Sequence, residues 1–346
     1  MASWKTNILK FKYNIVVGGL LLTLLGYLFT PLINWLFISA TFTGDSPSEC
    51  TTNAACWLFI NARFKQFMFG FFPPAELWRI YLSYAQIILA LLLFHLPIKS
   101  KNYKKVVLAF TFFIIPICSF YLFVGGISGL IEVPTDKWGG LHLTLVVALV
   151  GISVSLPIGI VLALARTSSL PLIQSLSILF IEVWRGIPLI SVLFMSSVML
   201  PIFMPDSWQI NKLLRALIGV SIFSSAYMAE VIRGGLQGLP KGQYEAAHAL
   251  GLGYWQTQIF IILPQAIKNV IPGIVNNFIS LFKDTTLVLI IGLFDLLGMV
   301  QNAINNPKWI SFALEGYIFA GLVYWIFCFS MSRYSLHIEK KLKIAS

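Results

Sequence analysis

Three pairs of charged residues and one pair of cysteines carry most of the chemistry this sequence can offer. Lys283 and Asp284 are adjacent opposite charges at the end of an apolar run, preceded by Asn276, Asn277 and Ser280. Asn277, Ser280 and Asp284 recur at three- to four-residue spacing, so a helix would align them on one polar face. A lone charge at a bilayer centre costs about 2.5–3.5 kcal/mol on insertion scales, so the pair is expected to face a bundle interior or water. A zwitterionic solute needs paired opposite charges or their dipole equivalents, which these residues and Thr285 could offer. The same residues would serve equally as a helix-packing network.

Glu182 and Arg185 stand three apart, as do Glu230 and Arg233, a spacing that lets carboxylate and guanidinium pair on one helix face. Gly186 and Pro188 follow the first pair and would break the helix there, freeing backbone groups beside a pathway. The plainer alternative is an ion pair at a helix end. Glu230 and Arg233 read as structural support.

Several chemistries are not encoded. No stretch reads G-x-x-x-x-G-K-[ST], so the chain is not expected to hydrolyse ATP itself. There is no nucleophile elbow and no carboxylate pair in a polar setting, so it does not read as an enzyme. The histidines are scattered without H-E-x-x-H or other paired ligand spacing, and neither a metal nor a cofactor is expected.

Of the 346 residues, 58% are hydrophobic and only 11% charged. A soluble domain of this length needs more polar surface, so the chain reads as an all-α polytopic membrane protein. The net charge of +11 sits in short clusters beside apolar runs, a topology signal rather than a nucleic-acid footprint.

Eight spans are expected in chain order: residues 15–38, 80–96, 106–124, 141–165, 178–200, 213–232, 264–282 and 312–331. The first follows Lys5, Lys10 and Lys12 and is too long for a signal-peptide core, so it reads as an uncleaved span. Thr41 to Trp78 is the one sizeable loop, and Lys283 to Ser311 is expected to be irregular. With the N-terminus inside, the inner segments hold 15 Lys and Arg and the outer loops 7. This asymmetry places both termini and the 233–270 segment in the cytoplasm. Cys50 and Cys56 then lie in an outer loop, where a bacterial periplasm would allow a disulfide. Cys118 and Cys328 are isolated in spans and read as small hydrophobes.

Composition shifts near residue 137, giving an N-terminal extension (1–137), a core (138–335) and a basic tail (336–346). Between two spans of the core lies a polar, short-turned stretch, Gly238 to Pro264. Pro240 and Gly242 break the preceding helix, and Tyr244 to Leu250 then form a short one. Gly251 and Gly253 end it, because glycine takes the left-handed cap conformation without a Cβ penalty. Trp255 to Ile262 is expected as a second short helix and Pro264 as the first turn of a third. Tyr244, Ala247, Leu250 and Leu252 would offer an apolar face to something outside this chain.

The spacing Glu245-Ala246-Ala247, Gly251, Ile261, Leu263-Pro264 resembles the EAA loop of ABC-importer permeases. From Leu141 onward the chain is similar to permease subunits of polar amino-acid ABC importers. The similarity rests on His142-Leu143-Thr144-Leu145, Glu182-Val183-Trp184-Arg185-Gly186-Ile187-Pro188 and Ala229-Glu230-Val231-Ile232-Arg233-Gly234-Gly235. Leu239-Pro240-Lys241-Gly242-Gln243, Leu263-Pro264-Gln265-Ala266 and Lys283-Asp284-Thr285-Thr286-Leu287 complete it. Thr286 is a small departure, standing where many members have Ser. The extension, with Gly44-Asp45, the two-cysteine loop and Phe69-Gly70-Phe71, resembles the longer members in general L-amino-acid importers.

The resemblance implies a type I importer core of five helices paired with a homologous permease, a heterodimer being favoured. It also implies two ATP-binding-cassette ATPase subunits and a periplasmic solute-binding protein delivering an L-amino acid across the bacterial inner membrane. The Gly242–Pro264 part of this loop would dock on the ATPase, and its Glu245–Gly251 helix would couple hydrolysis to transport. The rival is a secondary amino-acid transporter, which would show an inverted repeat of broken helices; none is visible.

Overall fold

The computed structural model describes residues 2–44, 46–50, 53–96, 101–126, 129–205 and 210–344. Asp45, Lys99, the last two residues of the tail and the side chains of Lys5, Lys10, Lys12, Lys101 and Lys343 lie outside what is described. Among the described residues every regular element is helical.

Before the core come α1 (Ala2–Ile33), α2 (Leu58–Phe69), α3 (Leu77–His95), α4 (Lys101–Ala109) and α5 (Ile115–Val124). The core then runs α6 (Gly140–Arg166), α7 (Pro171–Gly186), α8 (Leu189–Phe194), α9 (Leu200–Phe203) and α10 (Lys212–Gln237). It continues with α11 (Lys241–Ala249), α12 (Tyr254–Gln256), α13 (Leu263–Asp284), α14 (Leu296–Ile304) and α15 (Ala313–Ile344).

Among the described residues six helical runs are long and apolar enough to cross a membrane: Tyr13–Ile38, Pro74–Phe94, Gly140–Arg166, Lys212–Gln237, Tyr254–Ile291 and Ile310–Lys341. Two of the eight expected spans take a different form. The fifth is not one straight helix: α7 and the run Leu189–Phe203 meet at a 101° bend. Pro188 cannot donate a helical N–H and sits at ψ 141°, so the helix stops at Gly186 and restarts beyond the proline. The third is α4, a π-turn (Phe110–Ile114) and α5 in series, none of them alone the length of a bilayer.

Prolines explain most of the π-turns. Phe110–Ile114 precedes Pro116, Met195–Met199 precedes Pro201, and Thr257–Ile262 precedes Pro264. A proline ring crowds the carbonyl four residues back, and a widened turn relieves that clash without ending the helix. Trp255 to Ile262 is therefore not a separate short helix: α12, the π-turn and α13 run continuously. The Lys283–Ser311 stretch is also more regular than expected. It holds a 3₁₀ segment (Thr285–Ile291), a left-handed Gly292 at φ +73°, and α14.

The chain divides into two compact units, Met1–Phe64 with Ala303–Phe319, and Lys65–Asn302 with Ala320–Ser346. In the first, Cys50 and Cys56 are joined in a disulfide with a Cα separation of 5.6 Å. Cys56 N donates to the buried Glu315 carboxylate (2.9 Å), Trp57 Nε1 donates to Leu36 O (2.8 Å), and the Phe59 ring lies 5.3 Å from Trp309.

In the second unit α10 is central, packing on α6, α13 and α7. Glycines permit these close approaches: a Cβ on Gly159 would stand 2.6 Å from Met228 Cγ, and one on Gly235 2.6 Å from Ala266 O. One apolar core gathers Leu143, Val147, Leu193, Val220, Leu281 and Val288; a second gathers Ala163, Met228, Ile232, Ile262 and Ala266. His142 is buried, with Nδ1 2.8 Å from the Tyr84 hydroxyl and its ring 4.6 Å from Phe123. This contact ties α3 and α5 of the extension to the first core helix.

Candidate functional site

The Gly238–Pro264 stretch folds as a short helix and a capped turn. Pro240 takes the N-cap position and pre-sets the entry into α11. At the other end Gly251 sits at φ +74°. Its N–H donates to His248 O (2.9 Å) and Leu252 N–H donates to Ala247 O (3.2 Å), the paired bonds of a Schellman cap. Gly253 N–H then donates to the Gln256 side chain (3.1 Å), opening α12.

The segment is pinned to the bundle from one side. Ala247 is buried and Tyr244 half-buried against the second core, where burial and the nearby Tyr254 push the Tyr244 hydroxyl up. Gln265 Nε2 donates to Gln243 Oε1 (3.1 Å) and to Ile261 O (2.8 Å), fixing α11 to the base of α13. Leu263 is half-buried and Pro264 exposed. The expected apolar face of Tyr244, Ala247, Leu250 and Leu252 is therefore split. Tyr244 and Ala247, three apart, turn inward, whereas Gly242, Glu245, Ala246 and Leu250 turn outward, with Leu250 77% exposed. Tyr254, Trp255 and Phe260 continue the outward apolar surface.

The charged residues regroup in a way that three-residue spacing did not anticipate. Glu182 pairs with Arg166 (2.9 Å) rather than with Arg185. Glu230 receives Arg166 (2.8 Å), Arg233 (2.7 Å) and, more distantly, Arg185 (3.5 Å). Arg185 and Glu182 lie one helical turn apart, but α10 offers Arg185 a less exposed carboxylate and the Tyr227 ring, 5.6 Å from its guanidinium. Glu230 and Arg233 pair within α10 as their spacing suggested. Arg166 was overlooked; its signal was its place as the last residue of a span.

On α13, Asn276, Ser280 and Lys283 are exposed together with Asn269, whereas Asn277 and Asp284 are half-buried. Asn277 Nδ2 is buried without a partner. Adjacent side chains on a helix diverge, and among the described residues no ion pair joins Lys283 to Asp284. Thr285 is buried, its hydroxyl donating to Phe282 O (2.7 Å).

Asp295 is a second overlooked residue. It is fully buried just before α14, accepting from the Tyr324 hydroxyl (2.6 Å) and the Gly298 N–H (2.9 Å). Burial raises its carboxyl above the usual range, and those two hydrogen bonds offset part of that rise. An aspartate one residue before an apolar helix is a capping signal that sequence reasoning had available. Among the described residues no cluster of His, Cys, Asp or Glu could hold a metal.

The model of the family described as "Binding-protein-dependent transport system inner membrane component" matches residues 155–344, taking in the coupling-type segment, the charged network and α13. The chain belongs to this family. Among relatives of this inner-membrane component is the inner membrane amino-acid ABC transporter permease protein YhdY of Escherichia coli (strain K12). It is 53% identical over 91% of this chain and 85% of its own length. The glutamate/glutamine/aspartate/asparagine transport system permease protein BztC of Rhodobacter capsulatus is 38% identical over 95% of this chain and 90% of its own. A crystal structure of an amino acid ABC transporter with histidines matches with a TM-score of 0.52 and 31% identity, over 58% of this chain and 92% of the other. The inner-membrane component thus has the fold of that transporter across its core. It also carries an extension shared with the two longer relatives.

Proposed function

We propose that this chain is the permease subunit of an ABC importer that moves L-amino acids from a periplasmic binding protein into the cytoplasm. A separate ATPase drives it. The observation that carries this reading is the α11 segment. Its inner side is bonded to the bundle, and its outer side leaves Glu245, Ala246 and Leu250 free to meet a partner. A 77%-exposed leucine on a rigid, glycine-capped helix suits a hydrophobic groove on another subunit. The names of the relatives support amino acids as cargo.

In this reading two ATPase subunits bind at the α11 segments of two permeases, and the second permease is a homologous chain rather than an identical copy. Asn269, Asn276, Ser280 and Lys283 form an exposed polar stripe along a membrane span. Lipid is a poor neighbour for such a stripe, which suits a water-filled pathway at the permease–permease seam. Lys283 and Asp284 then lie along that pathway near its outer half. Both termini are cytoplasmic, residues 1–137 form an appended extension, 138–335 the transporting core and 336–346 a basic tail.

The test is reconstitution in liposomes with the ATPase, the partner permease and binding protein loaded with a labelled amino acid. ATP-dependent uptake is expected. Uptake driven by an ion gradient without ATP would favour a secondary transporter and overturn the reading.

A further inference from the structure

α7 is thinly packed for a core helix. Only Ser177 and Ile181 are buried along its 16 residues, and Leu172, Leu176, Leu179 and Val183 are exposed. A Cβ on Gly186 would meet nothing, and at the break only Trp184 and Ile187 of its flanking residues pack against the first core, before Leu189 enters it. Besides that packing, ion pairs from Glu182 and Arg185 hold the C-terminal end of α7.

A single atom makes the short contacts in that set. Arg166 Nη1 lies 2.9 Å from Glu182 Oε1 on α7 and 2.8 Å from Glu230 Oε1 on α10. Without it, the polar contacts from α7 to α10 are weaker. They are Arg185 to Glu230 at 3.5 Å and the Tyr227 hydroxyl donating to Arg185 O at 3.3 Å. Arg185 Nε is buried without a partner, so that side chain is incompletely held. The other side of Glu230 is fixed along its own helix. Arg233 binds it at 2.7 Å and also donates to Gln237 Oε1 (2.7 Å) in the last turn of α10. Four residues later the coupling helix α11 begins.

From this chain of contacts we infer that Arg166 is a positioning residue. It carries movement of the α11 coupling helix, through the end of α10, to the broken span that begins with α7. The inference rests on the importer reading above. When the ATPase displaces α11, the end of α10 and Glu230 move with it. Arg166 obliges Glu182, and with it α7, to follow, and the bend at Ile187–Pro188 takes up the angle. A cation with several donors is required at this point. A neutral side chain could fill the space but would not hold two carboxylates together.

The test uses the complete complex in liposomes and compares wild type with Arg166→Gln and Arg166→Lys. ATP hydrolysis is measured with and without loaded binding protein, together with amino acid delivered per ATP consumed. Arg166→Gln is expected to purify with its ATPase and hydrolyse ATP, yet deliver about tenfold less amino acid per ATP. Arg166→Lys, whose ammonium can also bridge both carboxylates, is expected to restore most of that ratio. A wild-type ratio in Arg166→Gln would overturn the inference. So would loss of assembly in both variants, which would make the contacts purely architectural. A wild-type complex that hydrolyses ATP but moves no amino acid would overturn the importer reading itself, and this inference with it.

Discussion

Gln265 on α13 donates a 3.1 Å hydrogen bond to Gln243 on α11, joining that short helix to the base of α13. That bond and the buried Ala247 fix one side of α11 to the bundle. In the proposed importer, force applied to its exposed side would reach the bundle through these contacts.

Gly251→Asp tests the cap of that helix and its proposed coupling role. A Cβ at Gly251 meets nothing, but φ +74° is left-handed, so a non-glycine residue costs about 1–2 kcal/mol there. The new carboxylate would also lie beside the docking surface unpaired. The variant is expected to insert into the membrane normally and lose transport, read by co-purification of the ATPase and by binding-protein-stimulated hydrolysis. Wild-type values for both would reduce the segment to a connector.

Asp284→Asn is expected to impair transport more than assembly. Asp284 is half-buried beside the exposed polar stripe, and no ion pair claims it among the described residues. Uptake and recovery of the intact complex should be measured on the same preparation. Unchanged uptake, or a complex that never forms, would return the residue to helix packing.

Tyr324→Phe removes a donor from the buried Asp295 carboxylate and is expected to destabilise the protein by about 1–3 kcal/mol in thermal unfolding in detergent. Asp295 should also make stability depend on pH. Its carboxyl is raised in the folded state, so its contribution is complete below the unfolded value and declines as pH rises through the folded one. The stability of wild type relative to Asp295→Asn should therefore fall as pH increases from about 4. A pH-independent difference would contradict the assignment.

The Cys50–Cys56 bond closes a loop with a sequence separation of only 6. Its contribution is expected to stay below about 3 kcal/mol, the chain-entropy value for a 15-residue loop. Both thiols should resist alkylation in non-reduced protein from an oxidising periplasm. Rapid modification of both would show that the bond is not formed there.

Topology offers a direct check on the charge asymmetry. A cysteine at Ser46 should react with an impermeant label from the periplasm, and one at Lys341 should not. The reverse pattern would invert the orientation of every loop.

Much of this protein was written in local chemistry. Six of the eight expected spans followed from apolar run length, because each must satisfy its own backbone in lipid. The α11 helix and its Gly251 cap followed from Pro240, Gly251 and Gly253, whose backbone preferences act within a few residues. The break at Gly186–Pro188 was legible for the same reason. Tertiary structure decided what no local rule carries. The α12–α13 helix runs through Pro264 because a π-turn relieves the ring clash. Ala247 and Tyr244 turn inward because the second core lies on that side. Glu182 and Arg185 stand at pairing spacing on one helix, yet each bonds elsewhere. Arg166 and Glu230, 64 positions apart in the chain, are brought together by the packing of α6 against α10. Spacing along a helix states only which partners are possible, and a carboxylate takes the nearest well-oriented cation that the folded bundle supplies.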